Sequence, residues 1–489
     1  MSKKSSKRNL QYCAVALAAT MLCAGAAQAG PRIEFGDDGG FVQIDLKGQF
    51  YLENTSLGGG NDGKESRTDL HFMRNRLGLT GMIDETWGYK FQTCGNTGTT
   101  KNPFMYTLSQ QDTDWNDRDI RIIDAYAIAN FNEHINLKVG LTKIPLSRAN
   151  LDDCFAPLSQ DRSMFVYSAY GTSPAKFSRD LGGVAVGRFF NDRLTYFAGI
   201  FQGREGTSQT AIPYAPNYPN GAPNKIMGAP ATTSTAPKTN LEYVARLTFD
   251  FLESEGGSGY QGTYFGEKKI LNIGVGGAFQ PQAAYKNTQN VYWLSDGTSS
   301  TTAPGPATTS SVTKVTTMAN TSKGTVDYSA IAVDGMFEYP TAFGVPTITA
   351  QYLKVDFEDA YLTASSGDKL AVVSGMNGQK EGFYTKVAHI LPFKIGGMGK
   401  LQPYALYENW RFAHLLGVDG QRIEQIGGGL NYYITGDQRV RLTAEYLKTD
   451  FSKKMAFVVP GASTPGVASG YVKDVNSFDT FRMMLQVVF

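Results

Sequence analysis

The chain has 489 residues with 46 Lys and Arg against 44 Asp and Glu, and residues 1–29 hold four of those basic residues and no acidic one. Residues 30–489 thus carry 42 basic against 44 acidic side chains, a formal charge of −2 that argues against a nucleic-acid binder. No stretch beyond residue 29 approaches the roughly 18 consecutive apolar residues of a transmembrane helix. Aromatics nevertheless make up 12% and glycine numbers 54, a mix suited to strands and tight turns.

Lys3, Lys4, Lys7 and Arg8 form a basic start, residues 10–23 an apolar stretch, and Ala27-Gln28-Ala29 an A-x-A site. This order predicts a cleaved signal peptide over residues 1–29 and one exported domain over 30–489. Leu22 before Cys23 is too bulky for lipoprotein cleavage. Cys13 and Cys23 leave with the signal, so Cys94 and Cys154 remain, a pair that an oxidising compartment can join as a disulfide. His71, His134, His389 and His414 have no ligand-like spacing and no C-x-x-C-H pattern occurs, so no metal or cofactor is expected.

Strand-like runs fall near 41–52, 71–83, 87–94, 119–130, 134–142, 181–190, 193–202, 240–251, 268–280, 327–338, 346–357, 381–391, 399–410, 422–433, 438–449 and 474–489. Sixteen strands is an even count, which puts both ends of the series on one side. Short links such as Asp84-Glu85-Thr86, Asn191-Asp192 and Thr435-Gly436-Asp437 carry turn residues at every second connection. The link 252–267 is longer and Gly-rich. The alternate connections are long and polar, as in 203–239 and 281–326 with its low-complexity run 299–311. A compact soluble domain rarely holds several such loops. Short turns on one side and long loops on the other are expected of an all-β, 16-stranded antiparallel transmembrane β-barrel.

Period-2 alternation assigns the faces. Leu77, Leu79, Gly81 and Ile83 would face lipid, with Arg74, Arg76 and Thr80 inside. Ile135, Leu137, Val139 and Leu141 place Lys138 inside. Tyr243, Ala245, Leu247, Phe249 and Phe251 do the same for Glu242, Arg246 and Asp250. Ile331, Val333 and Phe337 turn Asp334 inward, and Val440, Leu442, Ala444 and Tyr446 turn Arg439, Arg441 and Glu445 inward. An Arg or Lys in hydrocarbon costs about 2–4 kcal/mol at the midplane, which fixes the inward phase for Arg74, Arg76, Arg246 and Arg441. The phase of the fourth strand is open near Arg121, where a bulge fits. A polar, ionisable inner face implies a water-filled conduit. Tyr51, Phe131, Phe251, Tyr339 and Tyr432 near strand ends would form interfacial girdles.

The last stretch alternates most cleanly: Phe481, Met483, Leu485, Val487 and Phe489 are separated by Arg482, Met484, Gln486 and Val488. A closing barrel strand has this form, with a greasy face to lipid and no free edge. The terminal Phe489 resembles the insertion signal read by the barrel-assembly machinery of Gram-negative bacteria. An outer-membrane location in contact with lipid follows.

Gly140-Leu141-Thr142-Lys143-Ile144-Pro145-Leu146-Ser147, then Asp161-Arg162, then Arg179-Asp180-Leu181-Gly182-Gly183 resemble the phosphate-selective porin O and P family. Arg74-Asn75-Arg76-Leu77-Gly78-Leu79-Thr80-Gly81, Asp124-Ala125-Tyr126 and Gly428-Gly429-Leu430-Asn431-Tyr432-Tyr433 add to the resemblance. It implies a homotrimer and a third loop, residues 145–178, folded into the lumen as a constriction. That loop holds Arg148, Arg162 and Lys176, flanked by Lys143 and Arg179, against Asp152, Asp153 and Asp161. The family's phosphate channels stack basic residues without such offset.

Inside the barrel Arg74, Arg76, Lys138, Arg246, Lys386, Arg441 and Arg482 stand against Asp124, Glu242, Asp334, Glu408 and Glu445. Charge at the narrow point sets selectivity in such pores. The expectation is passive diffusion of ions and small hydrophilic solutes with a weak to moderate anion preference. A barrel that sheathes or anchors another envelope protein is the alternative, and a phosphate-specific channel a further one. An outer-membrane enzyme is disfavoured, because no G-x-S-x-G or comparable His/Ser arrangement stands out.

Overall fold

The computed structural model describes residues 30–36, 38–60, 62–95, 120–166, 179–203, 240–256, 260–285, 288–294, 298–300, 312–319, 324–358, 361–363, 369–371, 378–415, 418–458 and 471–489. Sixteen antiparallel strands form the wall: β1 (Gly40–Gly59), β2 (Glu65–Met82), β3 (Trp87–Gly95), β4 (Arg121–Asn132), β5 (Ile135–Lys143), β6 (Arg179–Phe189), β7 (Leu194–Phe201) and β8 (Glu242–Asp250) lead into the second half. That half is β9 (Ile270–Tyr285), β10 (Thr325–Glu338), β11 (Val345–Asp356), β12 (Lys380–Ile390), β13 (Gly399–Leu415), β14 (Val418–Tyr433), β15 (Val440–Val458) and β16 (Tyr471–Val488). Each strand pairs with its sequence neighbours, and β1 pairs with β16 from Lys47↔Val488 to Thr55↔Thr480, which closes the barrel. Closure leaves no strand edge unpaired in the apolar layer. A short strand, Arg32–Phe35, lies against Gly40–Gln43 at the foot of β1.

The tight turns form through the residues that the sequence marks. Asp84 Oδ1 accepts from the Thr86 and Trp87 amides at 2.7 Å each, and Asn132 Oδ1 accepts from His134 and Ile135 at 2.9 Å. Phe190, Asn191 and Asp192 take φ of 57°, 57° and 65° to reverse the chain between β6 and β7. The fourth strand does carry a bulge: Asp124 pairs with Gln92 and Ile122 with Thr93, so Ile123 is extra. A second irregularity, unmarked by the sequence, sits at Met73, because Arg74 pairs with Gln49 but Phe72 with Phe50.

The strands reach further than the alternation suggests at the long-loop end, notably in β1–β2 and β13–β16. The connection 281–326 is not wholly irregular: Thr288–Leu294, Val312–Ala319 and Ser299–Ser300 form a small separate sheet.

The faces follow the alternation. Leu247 is 56% exposed and Arg246 only 1%; Val139 and Ile331 face out at 59% and 48%, and Asp334 faces in at 4%. Arg439 departs from the expected lumen position, because β15 begins at Val440 and the Arg439 guanidinium holds Asp437 in the turn at 2.7 Å. Tyr51 is a further correction: it is 2% exposed and faces the lumen, in phase with Gln49 and Glu53, rather than joining a girdle. Phe131, Phe251 and Tyr339 are exposed as girdle residues would be.

The inner face is also less uniformly polar than expected. Toward the long-loop end Tyr328, Phe357, Trp410, Phe412, Phe451, Phe457 and Phe478 bury into one apolar cluster across β10–β16. The inner face of these strands is apolar at that end.

Candidate functional site

After Lys143 the chain leaves the wall and runs inward. The inward loop is described over residues 144–166; Lys176 lies outside the described residues. Ile144 and Leu146 are fully buried, and Ser147 caps a one-turn helix, Arg148–Leu151, by accepting from the Asn150 amide. An extended Ser147 with a side-chain acceptor is what such a helix start needs. Gly276 on the inner face of β9 makes room for this segment, since a Cβ there would lie 2.0 Å from the Leu146 carbonyl oxygen.

The loop docks against the wall of β8–β15. The Arg148 amide donates to Asp334 Oδ2 at 2.9 Å and the Ala149 amide to Gln351 Oε1 at 3.1 Å. Arg441 donates to the Pro157 carbonyl at 2.8 Å, Asn431 to that of Leu158 at 2.8 Å, and Lys380 to that of Phe165 at 2.5 Å. Lys386 reaches Ser159 Oγ at 2.7 Å and Ser163 Oγ donates to Glu408. At the tip Phe165 packs 6.1 Å from Trp410 and 5.9 Å from Phe412, ring centre to ring centre. Arg246 and Asp334 form a bidentate pair at 2.6 and 2.7 Å beneath the loop, both side chains at 0% exposure. These charges are structural, because a buried bidentate pair holds geometry rather than meeting solute.

The loop's other side faces β16 and β1–β7. Asp161 accepts from Arg74 at 2.7 Å, Tyr51 at 3.0 Å and Arg482 at 3.4 Å, and Arg482 also pairs with Glu445. Lys47 reaches Asp153 at 2.7 Å and Arg76 donates to Cys154 Sγ at 3.0 Å. Lys143 donates to the Leu151 and Asp152 carbonyls at 2.7 and 2.8 Å, and Arg162 to that of Ala149 at 2.8 Å. Burial opposes ionisation of Asp161, but Arg74 and Arg482 outweigh it and pull its carboxyl down to about 2. Burial would likewise raise the Cys154 thiol, yet Arg162, Arg76, Arg74 and Arg179 bring it down to about 5.

Between the loop and this wall lies a cavity of about 340 Å³ lined by Lys47, Arg76, Lys90, Lys138, Lys143 and Arg179, with Asp124 and Asp153 among them. Arg179 holds Asp124 through two bonds of 2.8 and 3.1 Å, and the Lys138 ammonium stands 5.8 Å from the Tyr126 ring centre. Six basic side chains face two carboxylates. Such a wall lowers the energy of a passing anion and raises that of a cation.

The residues named from the sequence therefore separate into two groups. Arg74, Arg76, Lys138, Lys143, Arg162, Arg179, Arg482 and Asp124 gather around the loop's open side. Arg148, Arg246, Arg441 and Asp334 anchor its docked side. Sequence reasoning missed Lys47, Lys90 and Lys380. Lys90 was findable, since Trp87 and Tyr89 are 51% exposed and turn every second residue of β3 inward.

The disulfide left open by the sequence is not formed. Cys94 and Cys154 are free thiols. Cys94 pairs across β2–β3 with Arg76, whose guanidinium lies against Cys154.

Residues 44–244 match the model of the phosphate-selective porin O and P family. The match contains the motifs at 74–81, 124–126, 140–147, 161–162 and 179–183, while 428–433 lies beyond it. No curated protein matches the sequence. Among solved structures, an anion-selective porin from Comamonas acidovorans is 11% identical with a TM-score of 0.47, covering 92% of this chain and 100% of that one. The outer membrane channel DcaP of Acinetobacter baumannii is 14% identical with a TM-score of 0.45, covering 94% and 100%. OmpT of Vibrio cholerae, in its trimer form, is 12% identical with a TM-score of 0.42, covering 92% and 99%.

Proposed function

We propose that this chain, which carries the phosphate-selective porin O and P signature over residues 44–244, is an outer-membrane porin for passive diffusion of ions and small hydrophilic solutes, with a weak to moderate anion preference. The observation that carries the reading is the cavity beside the inward loop, where six basic side chains face two carboxylates. The preference is moderate because Asp124 and Asp153 sit among those basic side chains and Asp161 offsets Arg74 and Arg482. A dedicated phosphate site would present basic groups without such partners. Diffusion through this path needs no nucleophile and no cofactor.

The exposed apolar belt suits a lipid surround, and the long-loop end is extracellular in this reading. The chain works as a homotrimer of such pores, and its β16 strand through Phe489 is the element that the barrel-assembly machinery engages. Cross-linking of protein extracted in mild detergent tests the trimer. Planar-bilayer recording tests the pore: stepwise conductance with reversal displaced toward the chloride potential is expected, and strong block by low phosphate would replace the general porin by a phosphate-specific one.

A further inference from the structure

The link 252–267 closes the β8–β9 hairpin at the tight-turn end, where its counterparts are short turns. Instead of staying at the rim its described residues, 252–256 and 260–267, enter the lumen. The Glu255 carboxylate accepts both terminal nitrogens of Arg148, at 2.7 and 2.6 Å, and the two side chains are 2% and 1% exposed. Tyr264 Oη donates to the same carboxylate at 2.8 Å. The Gly262 amide donates to the Ala156 carbonyl at 2.7 Å, and the Asp153 amide to the Tyr260 carbonyl at 3.3 Å. A Cβ on Gly262 would lie 2.2 Å from the Leu158 nitrogen, so only glycine permits this approach. At its far end the link is tied to the wall: Glu338 accepts from Thr263 Oγ1 at 2.7 Å and from the Tyr264 and Gly266 amides at 3.0 Å each.

The link buries Tyr260 in the apolar cluster and packs Phe265 on Tyr433, but its polar contacts go beyond packing. It is fastened to the wall by Glu338 and grips the inward loop by a bidentate ion pair and two backbone bonds. The gripped segment, residues 148–158, is the one whose other side bears Asp153 into the basic cavity.

We propose that residues 252–256 and 260–267 are a second constriction element, and that the Arg148–Glu255 pair is the clasp by which they fix the position of the inward loop and set the width of the conduit. The inference rests on the porin reading. Arg148 and Glu255 act here as positioning residues, because neither faces the cavity.

The test uses the full chain refolded in detergent and in planar bilayers, with Glu255→Gln, Gly262→Val and the charge exchange Arg148→Glu with Glu255→Arg. Heat-dependent migration on gels establishes that each barrel is folded. In Glu255→Gln, hydrogen exchange at the Asp153 and Gly262 amides is expected to rise roughly tenfold, while amides of β14–β16 stay protected. The single-channel current is expected to flicker between the wild-type level and others as the loop loses its fixed position. Gly262→Val should act alike, and the charge exchange should restore steady current, which a merely space-filling role would not produce. Unchanged exchange and steady current in both single variants would overturn the clasp, as would a charge exchange no better than Glu255→Gln. A wild-type barrel that never conducts would overturn the porin reading alone, and the exchange rates would still decide the clasp.

Discussion

Arg74 Nη1 donates to Asp161 Oδ1 over 2.7 Å, tying the second wall strand to the loop that crosses the lumen. Tyr51 and Arg482 converge on the same carboxylate, so one acid links β1, β2 and β16 to the constriction. Asp161→Asn removes the charge that faces Arg74 and one of the two that face Arg482. Reversal potentials in a KCl gradient should shift further toward the anion. A depressed acid stabilises its state above the unfolded pKa of about 3.9 and loses that effect only as pH falls through the folded value. That value is about 2 for Asp161, so the difference between wild type and Asp161→Asn should persist from pH 7 to 4. A difference that vanishes by pH 5 would contradict the assignment.

Lys90 and Lys138 line the cavity, and Arg246 lies fully buried beneath the docked loop. Reversing both lysines (Lys90→Glu with Lys138→Glu) should abolish or invert the anion preference while leaving the fold intact. Arg246→Gln should instead lower stability by about 3–5 kcal/mol, because it strands Asp334 in a dry site, with little change in selectivity. Urea midpoints beside reversal potentials separate the two effects.

Both cysteines are free in the structure. Protein denatured without reductant should take up two equivalents of an alkylating reagent per chain once the signal peptide is removed. Cys154 carries a thiolate above about pH 5, which cancels part of the arginine charge around it. Wild-type anion preference should therefore step up as pH falls through that value, and Cys154→Ser should lack the step. The same sign holds for stability: the thiolate's contribution is complete above the unfolded pKa of about 8.5 and is lost as pH falls through about 5.

Leu247 and Arg246 are adjacent on β8 but lie on opposite faces. Leu247→Arg should cost about 2–4 kcal/mol in refolding titrations into lipid vesicles if that position is near the midplane of the apolar layer. No loss of stability would mean that β8 is not lipid-facing there.

The wall was legible because two local signals agree along it. Period-2 alternation and the cost of charge in lipid together placed Arg76, Arg246 and Arg441 inside, and turn residues marked the short links. Lys90 obeys the same alternation and was overlooked, and so was the lumen phase of Tyr51, where aromatic type outweighed the neighbours Gln49 and Glu53. The bulge at Met73 inverts the face of β2 without any Gly or Pro to announce it. The inward course of residues 252–256 and 260–267 was not legible at all, since it depends on Glu255 meeting Arg148 across 107 residues of sequence. Whether a luminal charge faces solute or anchors a loop is likewise decided by tertiary partners. Arg74 and Arg246 look alike in the sequence and end on opposite sides of the loop.

The most direct test of the account is the zero-current potential of single channels in a KCl gradient, measured for wild type beside the Lys90→Glu, Lys138→Glu double variant. The account predicts open steps whose reversal lies toward the chloride potential in wild type and moves toward the potassium potential in the variant. Folded, membrane-inserted protein that passes no current, or a wild-type reversal at the potassium potential, would contradict it.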